Sequence, residues 1–450
     1  MQQTTRPETP LVPARDVLCT LTLTEWTSEG LARGILAADY DERLPTGTVL
    51  EVLGGIPGET VEIEASFMAI WRPKQLKRPH APIIRLVRVI DAAPERVAAP
   101  CPVFGDCGGC RLQQLPYHAQ LLWKRYRVIH EMLAKGLDAT VVADTLGMET
   151  PWHFRNQMRF AVNRVGVPGL TALGTHRVIP LTACPIAHPL INATLNTLQE
   201  QPNRRPQILI RCGAATGEVL VQPAPEAEMS TRLAAAGIDL HVTELHEQLG
   251  GMIFRMRPSS FFQTNTTQAE VMARLVLDNV PGGPDAIVAD AYCGVGTFAA
   301  LLATRAGSVL AIEESASAVH DARENLAALD ITNVTIIQGK TEIVLPTVAS
   351  RIDAIVLDPP RAGCMRPTLD AIIARAVPRI VYVSCDPATL ARDLAILTAN
   401  GYSVRSVQPL DMFPQTHHIE CVAVLDVTDM PQASHQDALT SEQMVQPSGL

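Results

Sequence analysis

From about residue 265 onward the chain alternates short β-branched apolar runs with amphipathic helical stretches. No other feature constrains the fold as strongly. Strand patterns at 287–290, 309–312, 334–338, 353–357 and 380–384 alternate with helical patterns at 267–280, 316–329, 368–377 and 388–400. Apolar strands separated by helices belong to a parallel sheet covered on both faces. The expected fold class is therefore α/β, with a doubly wound sheet in the C-terminal part. Ligands of such a sheet bind at the carboxyl ends of its strands, so the residues at those ends carry the functional reading.

The run Ile380 to Asp393 reads I-V-Y-V-S-C-D-P-A-T-L-A-R-D. A buried strand ends at Ser384, Asp386 is placed to cap a helix, and Pro387 suits its first turn. Cys385 thus sits at the sheet edge, at the positive end of a helix. That end favours thiolate, so its pKa is expected below the ordinary value. The alternative is a buried structural thiol. Two further motifs fall at the same edge. Gly294-Val-Gly-Thr-Phe-Ala299 fits G-x-G-x-x-G/A after Asp290, and Glu313 follows about 20 residues later, as a ribose ligand does. Both NAD and S-adenosylmethionine suit this layout, but no hydride-transfer residue is evident. Asp358-Pro-Pro-Arg-Ala-Gly363 ends another strand, as a turn with a capping Asp or as a contact to ligand.

Upstream the texture differs. Residues 1–15 are polar with three prolines and read as a disordered leader. From Val17 to about Val89, Leu21, Leu23, Val49, Val52, Val61 and Ile63 alternate with polar residues between glycine turns. That spacing suggests a small closed β-barrel of the oligonucleotide-binding kind, or a β-domain of no special use. The net charge of −9 is distributed unevenly: −7 over residues 1–70, +11 over 71–211 and −13 over 212–450. A basic middle in an acidic chain fits a polyanion-binding face, unless the charges scatter. Arg72, Lys74, Lys77, Arg78, Arg85 and Arg88 are interleaved with Trp71 and His80, which suits phosphate contact plus base stacking or a merely solvated strand edge. A helix is predicted over Leu115 to Lys135, with Leu121, Leu122, Val128, Ile129 and Leu133 on one side and Lys124, Arg125 and Arg127 adding charge. The strand-rich stretch 153–223 adds Arg155, Arg159, Arg164, Arg204, Arg205 and Arg211.

Cys101, Cys107 and Cys110 form C-x5-C-x2-C, with two glycines inside the last pair, and Cys184 is the nearest fourth thiol. Four thiolates suit a 4Fe–4S cluster or zinc. Zinc more often takes two C-x2-4-C pairs and only one is present, which favours iron–sulfur. The C-x3-C-x2-C spacing of radical S-adenosylmethionine enzymes is absent. No apolar run is long enough for a membrane span, and the start M-Q-Q-T-T-R has no apolar signal core. The expectation is a cytoplasmic protein without a membrane partner.

Taken together, Asp290-Ala-Tyr-Cys-Gly-Val-Gly, the Asp358-Pro-Pro-Arg motif, Val383-Ser-Cys-Asp-Pro-Ala-Thr-Leu-Ala-Arg-Asp393 and Phe413-Pro-Gln-Thr-His-His-Ile-Glu420 resemble those of the RNA 5-methyluridine methyltransferases. The resemblance spans about residues 17–427. The N-terminal β-segment is similar to that family's TRAM domain, and the cysteine motif to the iron–sulfur site of its 23S ribosomal RNA members. The resemblance implies a class I methyltransferase sheet that uses S-adenosyl-L-methionine. It assigns Cys385 as the nucleophile for uracil C6 and Glu420 as the base for the C5 proton. Gln263, Tyr292, Glu313 and Asp358 would hold the cofactor or frame the base, and Cys101, Cys107, Cys110 and Cys184 would hold a 4Fe–4S cluster. Thr297 stands where Asn is common, and Gly339-Lys340 where a polar adenine or ribose contact is expected. Cys293 and Cys364 are expected to be structural, because neither opens a Pro-capped helix.

The domains expected are a leader (1–15), a TRAM-like barrel (16–92), a central iron–sulfur and RNA-binding domain (93–262), a methyltransferase domain (263–427) and a disordered tail (428–450). The expected partner is RNA, 23S ribosomal RNA first and transfer RNA second, and the protein is expected to be a monomer. A non-catalytic RNA-binding module and an NAD oxidoreductase are the rival readings.

Overall fold

The structure is a computed structural model, and it describes residues 16–67, 82–241 and 243–428. The leader, the tail beyond residue 428 and the Trp71 to His80 basic–aromatic stretch lie outside the described residues.

The N-terminal unit is an antiparallel sheet of β1 (Asp16–Trp26), β2 (Ala32–Ile35), β3 (Val49–Val52), β4 (Thr60–Ser66) and β5 (Ile83–Asp91), in the order β3-β2-β1-β4-β5. Alternation places Leu21, Leu23, Val52, Val61 and Ile63 in one core, as the period of two predicts. β3 and β5 are the two ends of the ladder. The sheet has the strand content of a small barrel but no ladder between its ends among the described residues.

A helix, α1 (Tyr117–Ala134), follows, and then a second sheet. Its elements are β6 (Gln157–Val162), β7 (Pro168–Thr171), β8 (Val178–Pro180), α2 (Pro189–Gln199), β9 (Gln207–Cys212), β10 (Glu218–Gln222), α3 (Ala227–Ala235) and β11 (Asp239–His241), with sheet order β11-β10-β9-β6-β7-β8. A hairpin, β12 (Leu245–Leu249) with β13 (Met252–Met256), leads on to the third unit.

That third unit contains α4 (Thr266–Asp278), β14 (Gly283–Asp290), α5 (Thr297–Ala303), β15 (Ala306–Glu313), α6 (Ala316–Ala328) and β16 (Val334–Gln338). It continues through α7 (Thr341–Val344), β17 (Ala354–Leu357), α8 (Arg366–Ala374), β18 (Arg379–Ser384), α9 (Pro387–Thr398), β19 (Tyr402–Leu410) and β20 (Glu420–Val427). The sheet order is β16-β15-β14-β17-β18-β20-β19. The ladders from β16 through β18 are parallel, and β20 runs antiparallel to both its neighbours. The expected doubly wound sheet is therefore present. Its strands alternate between two cores. Val288, Val356, Val381 and Val383 face α4 and α5, whereas Ile355, Leu357, Ile380 and Tyr382 face α8, α9 and α1.

Helix α1 differs from the sequence reading. Its buried residues are Gln120, Trp123, Lys124, Val128 and Met132, while Leu122 and Leu133 are 50% and 61% exposed. The apolar stripe is displaced because α1 turns a polar face inward: Lys124 is wholly buried in an ion pair with Asp411. Val142 and Leu146 also bridge β19 directly, so the segment after α1 packs on the third sheet. Among the described residues no helix is long and apolar enough to cross a membrane.

Candidate active site

The β18 to α9 hand-over forms as its sequence predicts. Ser384 Oγ accepts from the Asp386 amide at 3.2 Å, and Asp386 Oδ1 accepts from the amides of Ala388 and Thr389 at 3.0 and 3.1 Å. Pro387 opens the helix. Between the strand and this cap lies Cys385, partly buried.

Glu420 reaches the same edge by strand register. β20 pairs with β18 so that Ser384 faces Cys421, and with β19 so that Leu410 faces Glu420. An antiparallel ladder ending there sets Glu420 alongside Cys385. Glu420 is 5% exposed. Burial first, and the Asp358 carboxyl second, push its pKa well above the ordinary range, with Arg361 opposing. Burial holds Asp358 up, at about 7. The expected lowering of the Cys385 pKa is overturned: burial, then Glu420, push the thiol up to about 12, with Arg361 opposing and Asp358 and Asp386 adding to the rise. A helix end is a fractional charge, and here it faces three carboxyl groups.

The neighbouring loop is tied to this edge. Thr389 Oγ1 donates to Arg361 O at 3.1 Å, and buried Asp393 accepts from the Cys364 amide at 2.8 Å and the Tyr382 hydroxyl at 2.7 Å. Gly363 has φ +75°, and a Cβ there would lie 2.6 Å from Asp393 Oδ2, so the turn requires glycine. Cys364 is buried and its thiol is pushed up to about 12, chiefly by burial. Cys293 is buried as well and also raised. Neither shares the register position of Cys385.

At the other side of the edge, Gly294 and Gly296 both have positive φ, and the open face of Gly294 has nothing within 4 Å of a hypothetical Cβ. Glu313 Oε2 accepts from the Gly294 amide at 3.0 Å and Oε1 from the Ser315 amide at 2.7 Å, which fixes its carboxylate beside the glycine turn. Asp290 is fully buried, with the backbone amides of Tyr292 and Ala299 turned toward its carboxyl. Burial and the charge of Asp358 push it to about 8. An open glycine turn with the Glu313 carboxylate fixed beside it fits a ligand bearing a ribose.

The remaining expected contacts are less convergent. Tyr292 packs in the core with Cys364. The Gln263 carbonyl accepts from Asn156 Nδ2 at 3.1 Å, and its side chain makes no hydrogen bond among the described residues. Thr297 is the first residue of α5. Lys340 is exposed and lies 3.8 Å from Glu314, and the Gly339 amide donates to Glu313 O.

Cys101, Cys107, Cys110 and Cys184 line one cavity of about 200 Å³ together with Arg155 and Met158. Burial raises Cys107 to about 11 and Cys110 to about 12, and the other thiols of the group add to both. Among the described residues no three His, Cys, Asp or Glu side chains are gathered tightly enough to grip a metal ion. Arg159, Arg164, Arg204 and Arg205 are exposed on the central sheet and make no ion pair among the described residues. Arg155 and Arg211 are largely buried instead.

Two residues went unassigned in the sequence. Arg361, inside the quoted Asp-Pro-Pro-Arg motif, is the cation that opposes the rise of both Cys385 and Glu420. Its signal is a basic residue three positions past an edge Asp. Phe261 is 69% exposed, two residues before Gln263. The buried Asn265 that follows it donates to Met412 O at 2.9 Å, which seats this turn against the β19–β20 loop.

Residues 235–428 match the family profile described as tRNA (Uracil-5-)-methyltransferase. A protein of Gloeobacter violaceus described as an uncharacterized RNA methyltransferase is 35% identical over 87% of this chain and 94% of its own. Another so described, from Halalkalibacterium halodurans, is 34% identical over 76% of this chain and 86% of its own. Among solved structures, Pyrococcus abyssi tRNA (uracil-54, C5)-methyltransferase in complex with S-adenosyl-L-homocysteine superposes with a TM-score of 0.67. That match covers 90% of this chain and 99% of that one at 24% identity, a likeness of fold.

Proposed function

Because this chain belongs to the RNA methyltransferases and carries a tRNA (uracil-5-)-methyltransferase family domain, we propose that it methylates C5 of a uridine in structured RNA through a covalent Cys385 adduct. One observation carries the reading: the β18–β20 register sets a thiol and a buried carboxyl side by side at the ligand edge of the sheet. A thiol and a carboxyl of raised pKa are the pair the reaction needs.

C5 of uracil is a poor nucleophile. The Cys385 thiol gives up its proton to solvent, and bond formation between the thiolate Sγ and C6 breaks the C5–C6 π bond and shifts its electrons toward C5, which makes C5 able to accept a methyl group. Bound S-adenosylmethionine would supply that methyl from its sulfonium. Glu420 then takes the C5 proton, the C5–C6 double bond re-forms, and the Cys385 sulfur leaves with its electron pair. Burial raises the Glu420 pKa, which makes its carboxylate a stronger base than an exposed one. Asp358, Gln263 and Tyr292 border the base or cofactor in this reading. Glu313 meets the ribose in the same reading.

The substrate proposed is 23S ribosomal RNA in the cytoplasm, read by a monomer, with the N-terminal sheet acting as a TRAM-type RNA-binding barrel. Transfer RNA is the alternative, after the names of the family profile and of the solved neighbour. The exposed arginines of the central sheet suit phosphate contacts in either RNA. The four cysteines are proposed to hold a 4Fe–4S cluster. Their shared cavity supports this, and four thiolates are the usual ligand set of such a cluster.

The test is incubation with S-adenosylmethionine and 5-fluorouridine-substituted large-subunit RNA fragments or transfer RNA. Fluorine does not leave C5 as a proton does, so a denaturant-stable protein–RNA adduct is expected, and it should vanish in Cys385→Ala. An adduct with transfer RNA only would move the substrate. No adduct with either, despite binding of S-adenosylmethionine, would remove the reaction.

A further inference from the structure

Gln415 has no part in the chemistry above, yet it is the most constrained residue of the loop that leads into Glu420. The loop 411–419 joins the paired ends Leu410 and Glu420. Gln415 holds φ +69°. Asp330 and Ala376 adopt similar values just past the ends of α6 and α8, where such a cap is common. Gln415 follows no helix, and a strained conformation of this kind persists only where the surroundings over-determine it.

The surroundings here are chiefly one segment of the central unit, with Gln415 Nε2 also donating to Pro151 O at 3.5 Å. The Gln415 carbonyl accepts from the amides of Arg111 and Leu112 at 3.0 and 3.1 Å. Its amide donates to Gln120 Oε1 at 3.1 Å, and Gln120 Nε2 donates back to Gln415 Oε1 at 3.0 Å. Both glutamines are almost fully buried. The same segment continues along the loop: Lys124 Nζ donates to Phe413 O at 3.1 Å and Arg127 Nη1 to His417 O at 2.6 Å. At its start lies Cys110, and Gln113 Oε1 accepts from the Cys101 amide at 3.2 Å, so the cysteine cavity and the clamp share one stretch of chain.

We infer that Gln415 is a positioning residue, the joint through which the segment leaving the cysteine cavity sets the 411–419 loop and thereby the carboxylate of Glu420. The loop leads directly into Glu420 and is itself packed inward, with Met412, Thr416 and Ile419 buried. A loosened loop leaves Cys385 and its helix untouched but misplaces the base. Addition to C6 and methyl transfer then proceed, and proton removal lags. This rests on the reaction proposed above.

The test compares Gln415→Ala, Gln415→Gly and Gln120→Ala with the wild-type protein on unmodified uridine RNA. Glycine removes the backbone strain along with the side chain, which separates the two. Expected are a fall in kcat of at least about tenfold with KM for RNA within about twofold, accumulation of a denaturant-stable adduct on ordinary uridine, and faster deuterium uptake across 411–419. Affinity for S-adenosylhomocysteine should stay at the wild-type value. Variants that turn over at the wild-type rate, or that lose turnover without accumulating adduct, overturn the inference. So does loss of S-adenosylhomocysteine binding in all three, which marks a general structural role. A wild-type protein that forms no Cys385-dependent adduct with 5-fluorouridine RNA defeats the proposed reaction instead, and deuterium uptake then decides the joint by itself: unchanged uptake in all three variants overturns it.

Discussion

Cys385 should be an unreactive thiol in the free protein, and its sluggishness can be worked from its surroundings. Burial, Glu420, Asp358 and Asp386 outweigh Arg361 and hold it at about 12, against an ordinary 9.0. At pH 8 the thiolate fraction is then about 10⁻⁴, compared with about 0.1 for an ordinary thiol. A more basic thiolate is intrinsically more nucleophilic, with a Brønsted coefficient of about 0.4–0.5, which recovers roughly 20-fold of that thousandfold deficit. Reaction with an aromatic disulfide should therefore run roughly 50-fold slower than with free cysteine at pH 8. The rate should rise about tenfold per pH unit up to pH 9.5 without a plateau. Arg361→Gln removes the opposing cation and should slow it further. The assay is mass-spectrometric counting of the modified Cys385 peptide over time, with Cys385→Ala as the blank. A plateau below pH 9, or a rate matching free cysteine, would refute the reasoning. It would mean that the helix end dominates the three carboxyls.

Asp290 offers a stability test with a definite sign. Its folded pKa of about 8 lies above the ordinary 3.8, so the folded protein holds a proton that the unfolded chain has released, and stability falls as pH rises through that window. Asp290→Asn should relieve on the order of 4 kcal/mol at pH 7, seen as a urea midpoint that declines less steeply between pH 5 and 8 than in the wild type, the remaining slope coming from the raised Asp358 and Glu420; an equally steep decline in the variant counts against it. Lys124→Met leaves Asp411 buried without its partner and should cost about 3–5 kcal/mol, lowering the thermal midpoint. The double variant with Asp411→Leu should recover more than half of that loss, and no recovery would show that the pair is not the source.

The parallel sheet was legible because its central strands β17 and β18 are apolar on both faces. Val381 and Val383 pack on one layer and Ile380 and Tyr382 on the other, so no polar alternation blurs the run. The cap at Asp386 and the pairing of Gly294 with Glu313 were legible for a similar reason: both are local, spanning a few residues or one strand–turn–helix unit. The apolar face of α1 was not. The helix buries Lys124 and exposes Leu122 and Leu133 because its partner is Asp411, which lies 287 residues away. No periodicity within α1 reports a charge supplied from another unit.

The same distance in sequence explains the misjudged thiol. Reading outward from Cys385, the chain offers only the helix that follows, and that predicts a lowered pKa. Glu420 arrives through the return of β20, and Asp358 and Arg361 from the end of β17. Two strand pairings unknown to the local sequence therefore decide the sign. The charge argument is altered by folding in a related way. Of the basic middle, Lys124, Arg155 and Arg211 are spent inside the protein, and Arg85 and Arg88 pair with Glu64 and Glu62. Among the described residues, those that stay exposed without an ion pair include Arg159 on β6 and Arg164, Arg204 and Arg205 in the loops at the ends of β6 and β9. Binding through these four should lose affinity with salt at a slope of about −0.7 per phosphate contact on single-stranded RNA. A slope near −3, measured by filter binding and reduced by about 0.7 for each arginine replaced with Gln, is the result these four predict. A slope unmoved by all four replacements would transfer the RNA contact to the N-terminal unit.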